Sequence, residues 1–83
     1  MKRKIHLSEL ASGERCVVAS LSCCGAIRRR FSDLGILPGV EIECIGKSPL
    51  GNPVAYLVRG KSVAIRKEGA SGIDVYIDIQ PES

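Results

Sequence analysis

Residues 28–39, Arg-Arg-Arg-Phe-Ser-Asp-Leu-Gly-Ile-Leu-Pro-Gly, hold the one clear change from helical to strand periodicity in the chain. Ile27, Phe31 and Leu34 fall at i, i+4 and i+7, the spacing of a single helix face. The pattern predicts a short helix that starts near Cys23-Cys24-Gly25, with Ser22 as a candidate cap, and ends at Leu34. Gly35 supplies the left-handed residue on which a helix stops cleanly. Pro38-Gly39 breaks the chain again, and Val40, Ile42 and Cys44 then alternate with Glu41 and Glu43 as in a strand. A helix this short does not stand alone in water. The stripe Ile27, Phe31 and Leu34 is therefore expected to pack on a sheet as core.

The remaining chain reads mostly as short strands. Residues 14–21 and 40–45 are β-prone, and residues 54–59 are nearly all apolar, as expected of a strand buried on both faces. A tight turn at Gly60-Lys61 leads to a return strand over residues 62–66, with Val63 and Ile65 inward. The cleanest alternation comes last: Ile73, Val75, Ile77 and Ile79 face one side, and Asp74, Tyr76, Asp78 and Gln80 the other. Residues 5–10 read as an extended lead-in and one helical turn capped by Ser8, and residues 67–72 as a polar turn. The expected class is mainly β: a small five-stranded barrel with one inserted short α-helix. Closure of the barrel would remove exposed strand edges.

Length and composition bound what such a fold can do. Residues 1–83 are expected to form a single domain, which buries roughly 60% of its unfolded surface. A deep substrate pocket is hard to enclose at this size. Phe31, Tyr56 and Tyr76 are the only aromatic residues, so the core must be aliphatic. A net charge of +3 is too mild for a committed nucleic-acid binder. The basic start has no apolar run behind it, so no signal peptide is expected, and no stretch is long and apolar enough to span a membrane. The four cysteines, Cys16, Cys23, Cys24 and Cys44, lack zinc-finger spacing, and a reducing cytoplasm is the expected setting.

Three blocks, in order, carry a family resemblance. They are Arg-Arg-Phe-x-x-Leu-Gly-Ile-x-Pro-Gly over residues 29–39, Pro-Leu-Gly-Asn-Pro over residues 49–53, and Arg-Gly-x-x-x-Ala-Ile-Arg-Lys-Glu over residues 59–68. Together they resemble the FeoA family of small cytoplasmic proteins of bacterial ferrous-iron uptake, across roughly residues 5–79. The resemblance implies an SH3-like barrel with an inserted helix, and association with FeoB, the membrane permease that carries a cytosolic G-protein domain. A similar domain ends metal-dependent repressors of the diphtheria-toxin-repressor type, behind a winged helix that this chain is expected to lack. Four cysteines exceed the family's usual number, and the resemblance assigns them no role.

Each candidate constellation has a plain competitor. Cys23-Cys24 at a helix start would gain thiolate character, but His6 is the only histidine available to help hold a metal; small buried thiols are the favoured reading, with Cys44 and Cys16 in the core. Arg28, Arg29 and Arg30 admit an arginine finger toward a partner's nucleotide, a patch for membrane headgroups, or a solvated helix face. The loop over residues 46–53 is no P-loop, and Leu50 within it is either tucked onto the core or offered to a partner. No nucleophile, base and orienting group come together, so no enzyme and no cofactor are expected. The residues favour a binding module, and the resemblance implies that it meets FeoB; Arg28, Arg29, Arg30 and Leu50 are the candidate contacts, across the helix, the loop over residues 49–53 and the groove between them. The alternative is a metal-responsive regulatory module related to the repressor domain.

Overall fold

The computed structural model describes residues 2–22, 25–47, 49 and 51–78. Strands β1 (Lys2–His6), β2 (Arg15–Leu21), β3 (Glu41–Lys47), β4 (Val54–Val58), β5 (Lys61–Ile65) and β6 (Ile73–Asp78) make one antiparallel sheet in the order β1-β6-β2-β3-β4-β5. Helix α1 (Ala26–Asp33) is inserted between β2 and β3, and a four-residue helix α2 (Lys67–Ala70) joins β5 to β6. The mainly β, SH3-like class with an inserted helix is as expected, but the described residues hold six strands, not five. The added one is β1, read from the sequence as a lead-in. It pairs with β6 from Lys2↔Asp78 to His6↔Asp74. An edge strand with one partly covered side chain, Ile5, needs no apolar alternation, so the usual strand signal is missing. The sheet does not close either: β1 and β5 lie at its two ends.

Two irregularities bend this sheet around one core. Register shifts occur in β2 between Val18 and Ser20, and in β3 between Cys44 and Gly46. Such bulges increase local twist and turn a strand. The core inside is aliphatic, with Leu7, Leu10, Val18, Ile36, Ile42, Cys44, Val58, Ile73 and Val75 almost wholly buried around Tyr56. β4 buries Val54, Tyr56 and Val58 but exposes Leu57, so it is covered on one face and not on both as its composition suggested.

A single 3₁₀ turn, Leu7–Glu9, closes one side of that core. The His6 backbone N–H donates to the Glu9 carboxylate at 2.8 Å, and the Leu10 N–H to the Leu7 carbonyl at 3.1 Å. The cap is therefore the His6–Glu9 box and not Ser8. The Tyr56 hydroxyl, deep in the core, donates to the same Leu7 carbonyl over a long 3.4 Å. Burial pushes this phenol up to about 12, which keeps it protonated as a donor.

The end of α1 follows from the sequence. Gly35 takes φ +91°, its N–H reaches the Ser32 carbonyl at 3.0 Å, and the Ile36 N–H reaches the Phe31 carbonyl at 2.9 Å. This is a Schellman motif, in which the residue after the glycine usually makes an apolar contact back to the last turn; here that residue, Ile36, is fully buried. The Gly39 N–H then donates to the Val18 carbonyl (2.8 Å) and the Val18 N–H to the Val40 carbonyl (2.9 Å), which fixes the segment to β2. The start of α1 lies at Gly25, with no side-chain cap, so Ser22 does not play that part.

The expected helix stripe is mostly uncovered. Phe31 is 7% exposed, but Ile27 is 55% and Leu34 40% exposed. The Phe31 ring sits so close to Gly69 of α2 that a Cβ there would lie 3.0 Å from its Cζ, with Ile65 Cγ2 at 3.6 Å from the same point. One ring thus occupies the contact that the sequence assigned to three side chains. A final correction concerns the hairpin: Val58 pairs with Lys61, and the turn is Arg59-Gly60, not Gly60-Lys61. Both residues have positive φ, +50° and +83°, as a two-residue type I′ turn requires.

Gly35→Ala is expected to destabilise the domain by about 1–2 kcal/mol, because a side chain there is held in the left-handed region. Gly35→Asn is expected to cost less, since Asn tolerates that region. Urea denaturation of the two variants checks both the loss and its order.

Candidate functional site

Because α1 is held through Phe31, a groove is left beside it. Ile27, Arg30, Phe31 and Leu34 form its α1 wall, Ala64, Ile65 and Arg66 lie at the end of β5, and Pro53, Glu68 and Gly69 complete the lining. Its volume is about 400 Å³, against about 240 Å³ for each of two smaller depressions elsewhere on the sheet. The floor is apolar, and the charged groups on the rim are Arg30, Arg66 and Glu68. This is a surface suited to burying another molecule's apolar side chains with cations at its border.

The site residues singled out from sequence divide accordingly. Arg30 lines the groove; Arg28 and Arg29 are exposed on α1 and do not line it. Leu50 lies outside the described residues, as do Cys23 and Cys24, while Pro53 of the same loop does reach the groove. Ile27, Leu34, Ala64, Arg66 and Glu68 were not picked out as site residues. Periodicity had marked Ile27 and Leu34 as apolar, but a repeat of apolar positions does not say whether anything covers them.

The cysteines that are described are structural. Cys16 and Cys44 are buried and not in a disulfide. Burial pushes the Cys16 thiol up to about 12, with Glu41 and Glu14 adding to it and the Ile42 backbone hydrogen bond opposing it. At neutral pH it is neither a nucleophile nor a ready ligand. Among the described residues no three His, Cys, Asp or Glu side chains gather as a metal site. No described helix is long and apolar enough to cross a membrane.

One polar cluster ties three strands together. Asp74 on β6 accepts from the Ser20 hydroxyl of β2 at 3.1 Å and the Ser22 hydroxyl at 3.0 Å, and its other oxygen lies 3.0 Å from His6 Nδ1 on β1. Serine, histidine and aspartate are all present, but both hydroxyls donate to the carboxylate and not to the imidazole. The arrangement is therefore a fastening and not a nucleophile with its base. The Ser22 hydrogen bond, helped by those of Ser20 and by Lys4 and His6, holds the Asp74 carboxyl below its usual value, against the opposing effect of burial.

A bulged antiparallel sheet around one aliphatic core, with an inserted helix and an apolar groove beside it, defines a small SH3-like β domain. The chain belongs to the FeoA domain family, whose profile matches residues 5–77. It is 32% identical over 71 residues, 86% of its length, to a protein of Porphyromonas gingivalis in which Fe(2+) transport protein A is fused to the Fe(2+) transporter FeoB; it spans 8% of that protein. The solution structure of FeoA from Chlorobium tepidum is similar at TM-score 0.86 and 36% identity, over 94% of this chain and 74% of that one. FeoA of Stenotrophomonas maltophilia, described as a prokaryotic SH3 domain protein and crystallised with zinc, is similar at TM-score 0.76 and 32% identity, over 86% and 88% of the two chains. IdeR of T. acidophilum shares the fold, at 21% identity and TM-score 0.78, over 90% of this chain and 34% of that one. The family is thereby linked to iron transport, as the resemblance implied.

Asp74→Asn is expected to lower stability at pH 7 by about 1 kcal/mol, as for a partly solvated charged hydrogen bond. The folded-state pKa is depressed, so the carboxylate contributes stability above its unfolded value, and that contribution is lost as pH falls through the folded value. The gap between wild type and variant should therefore be full at neutral pH and close below about pH 4, followed by thermal melts across that range.

Proposed function

We propose that this chain is an accessory protein of bacterial ferrous-iron uptake, which acts in the cytoplasm by docking on the cytosolic part of a FeoB-type permease and catalyses no reaction of its own. The observation that carries this reading is the relative in which the two proteins form one polypeptide. Fusion holds two partners at high effective concentration, which benefits proteins that work in contact. The groove beside α1 supports the reading from the chain's side: Ile27 and Leu34 are large, apolar and solvent-exposed without serving the core. Arg30 at its rim, with Arg28 and Arg29 on the same helix, would orient an acidic partner surface, and Leu50 from the neighbouring loop is proposed as a further apolar contact. The likeness to a repressor rests on fold alone and adds no second reading.

The test is titration of the cytosolic part of FeoB with the wild-type chain and with Ile27→Asp/Leu34→Asp. Both side chains are already exposed, so the melting temperature should hold while affinity falls by about tenfold or more, the loss typical of central apolar anchors. Equal binding by the two proteins would remove the groove from the docking surface, and no binding by either would remove FeoB as the partner.

A further inference from the structure

The groove opens onto a strand edge that pairs with no other described strand. β5 is the last strand of the sheet, and the Arg59-Gly60 turn fixes which of its backbone groups point outward. In a two-residue hairpin the residues flanking the turn, Val58 and Lys61, form a hydrogen-bonded pair, and pairs alternate along the ladder from there. Tyr56↔Val63 and Val54↔Ile65 are therefore bonded pairs, while Leu57↔Ser62 and Ala55↔Ala64 are not. The N–H and C=O of Ser62 and Ala64 face away from β4. Both residues are exposed, and among the described residues neither makes a backbone hydrogen bond outside the β4–β5 ladder. Ala64 also lines the groove, with Ile65 and Arg66 after it. A backbone template and an apolar slot are thus continuous.

The charges around this edge choose its occupant. Lys61 begins β5, Arg66 follows its end, and Arg30 stands across the groove; Glu68 is the only carboxylate among the described residues of the lining. A second copy paired antiparallel on β5 would bring the Lys61 end of each strand to the Arg66 end of the other, setting like charges together at both ends. An incoming segment with acidic ends meets opposite charges instead.

We infer that the groove receives an extended segment of the partner, apolar at its centre and acidic at its ends, which adds to β5 as a further strand. This rests on the docking reading above and specifies its chemistry. Main-chain hydrogen bonds to Ser62 and Ala64 hold the segment, as in other cases of strand addition. Its apolar side chains lie against Ile27, Phe31 and Leu34, and its carboxylates face Lys61, Arg30 and Arg66.

Two synthetic peptides with the same centre, Val-Thr-Val-Leu, test this with the full chain: one ends in Asp-Glu pairs, the other in Lys-Lys pairs. The acidic peptide is expected to bind about tenfold or more tightly than the basic one, with the gap narrowing in high salt. Its binding should slow amide exchange at Ser62 and Ala64 and shift the methyl resonances of Ile27 and Leu34. Ala64→Pro, which removes an outward N–H and no ladder bond, should abolish binding, since an edge strand tolerates proline there. If circular dichroism shows that variant unfolded, Arg30→Glu/Arg66→Glu, altered at exposed sites, carries the test and should reverse the peptide preference. Equal affinity for both peptides, or unchanged exchange at Ser62 and Ala64, overturns the inference. Binding of the cytosolic part of FeoB equally by wild type and folded Ala64→Pro overturns strand addition but leaves docking intact. Binding of the acidic peptide by a chain that ignores FeoB overturns that partner and leaves strand addition intact.

Discussion

One aromatic ring joins α1 to the rest of the domain. An eight-residue helix has no stability of its own in water, so what holds it decides where it sits. Phe31 inserts against Gly69 and Ile65, and the absence of a side chain at Gly69 is what lets the ring approach α2. From the other side the Schellman bonds carry the chain directly from Phe31 into buried Ile36. The helix is thus pinned at its last turn, and its earlier apolar residue, Ile27, is left exposed at the groove. The groove is the geometric result of anchoring a helix by one residue instead of by a full stripe.

The sheet poses the complementary problem. A linear order of six strands must curve to enclose a core, and the shifts in β2 and β3 supply the bend. Bending without closing leaves β1 and β5 at the ends, and the two ends differ. Asp74 fastens β1 and β2 to β6 through His6, Ser20 and Ser22, and the His6–Glu9 box turns the chain from β1 straight into the core at Leu7. Among the described residues β5 has no such fastening on its outer side, and its neighbour there is the groove. Structural stitching gathers at one end of the sheet and open surface at the other.

How far the sequence reveals this depends on the kind of signal. The β6 alternation and the glycine after α1 are readable because each is a local requirement: a period of two for a strand with one covered face, and a left-handed residue to end a helix. The Arg59-Gly60 turn was displaced by one residue because the pattern pointed to Gly60 and not to an arginine with positive φ. β1 escaped because Lys-Arg-Lys-Ile-His carries one apolar side chain, and its strand identity comes from β6, distant in sequence. Ile27 and Leu34 were assigned to the core because a helical repeat fixes which residues share a face and not what lies opposite. The size of Gly69 determines that outcome, and nothing near Ile27 in the chain reports it. Leu57 failed for the same reason in β4, where an unbroken apolar run concealed one open face.

These features separate two physical tasks on one small surface. Among the described residues the core is aliphatic apart from Phe31, Tyr56 and two buried thiols, and no charged side chain is buried, so that interior is built for packing. At the exterior, apolar area supplies affinity and charge supplies orientation and rate. The groove combines both: an apolar floor that any hydrophobic side chain could enter, edged by Arg30 and Arg66, which on the proposed reading would discriminate among the segments that carry one. The adjacent edge of β5 narrows the choice further, because backbone pairing demands an extended conformation whatever the side chains are. On the proposed reading a small domain would in this way be specific, by reading conformation, apolar content and charge together along a single strip.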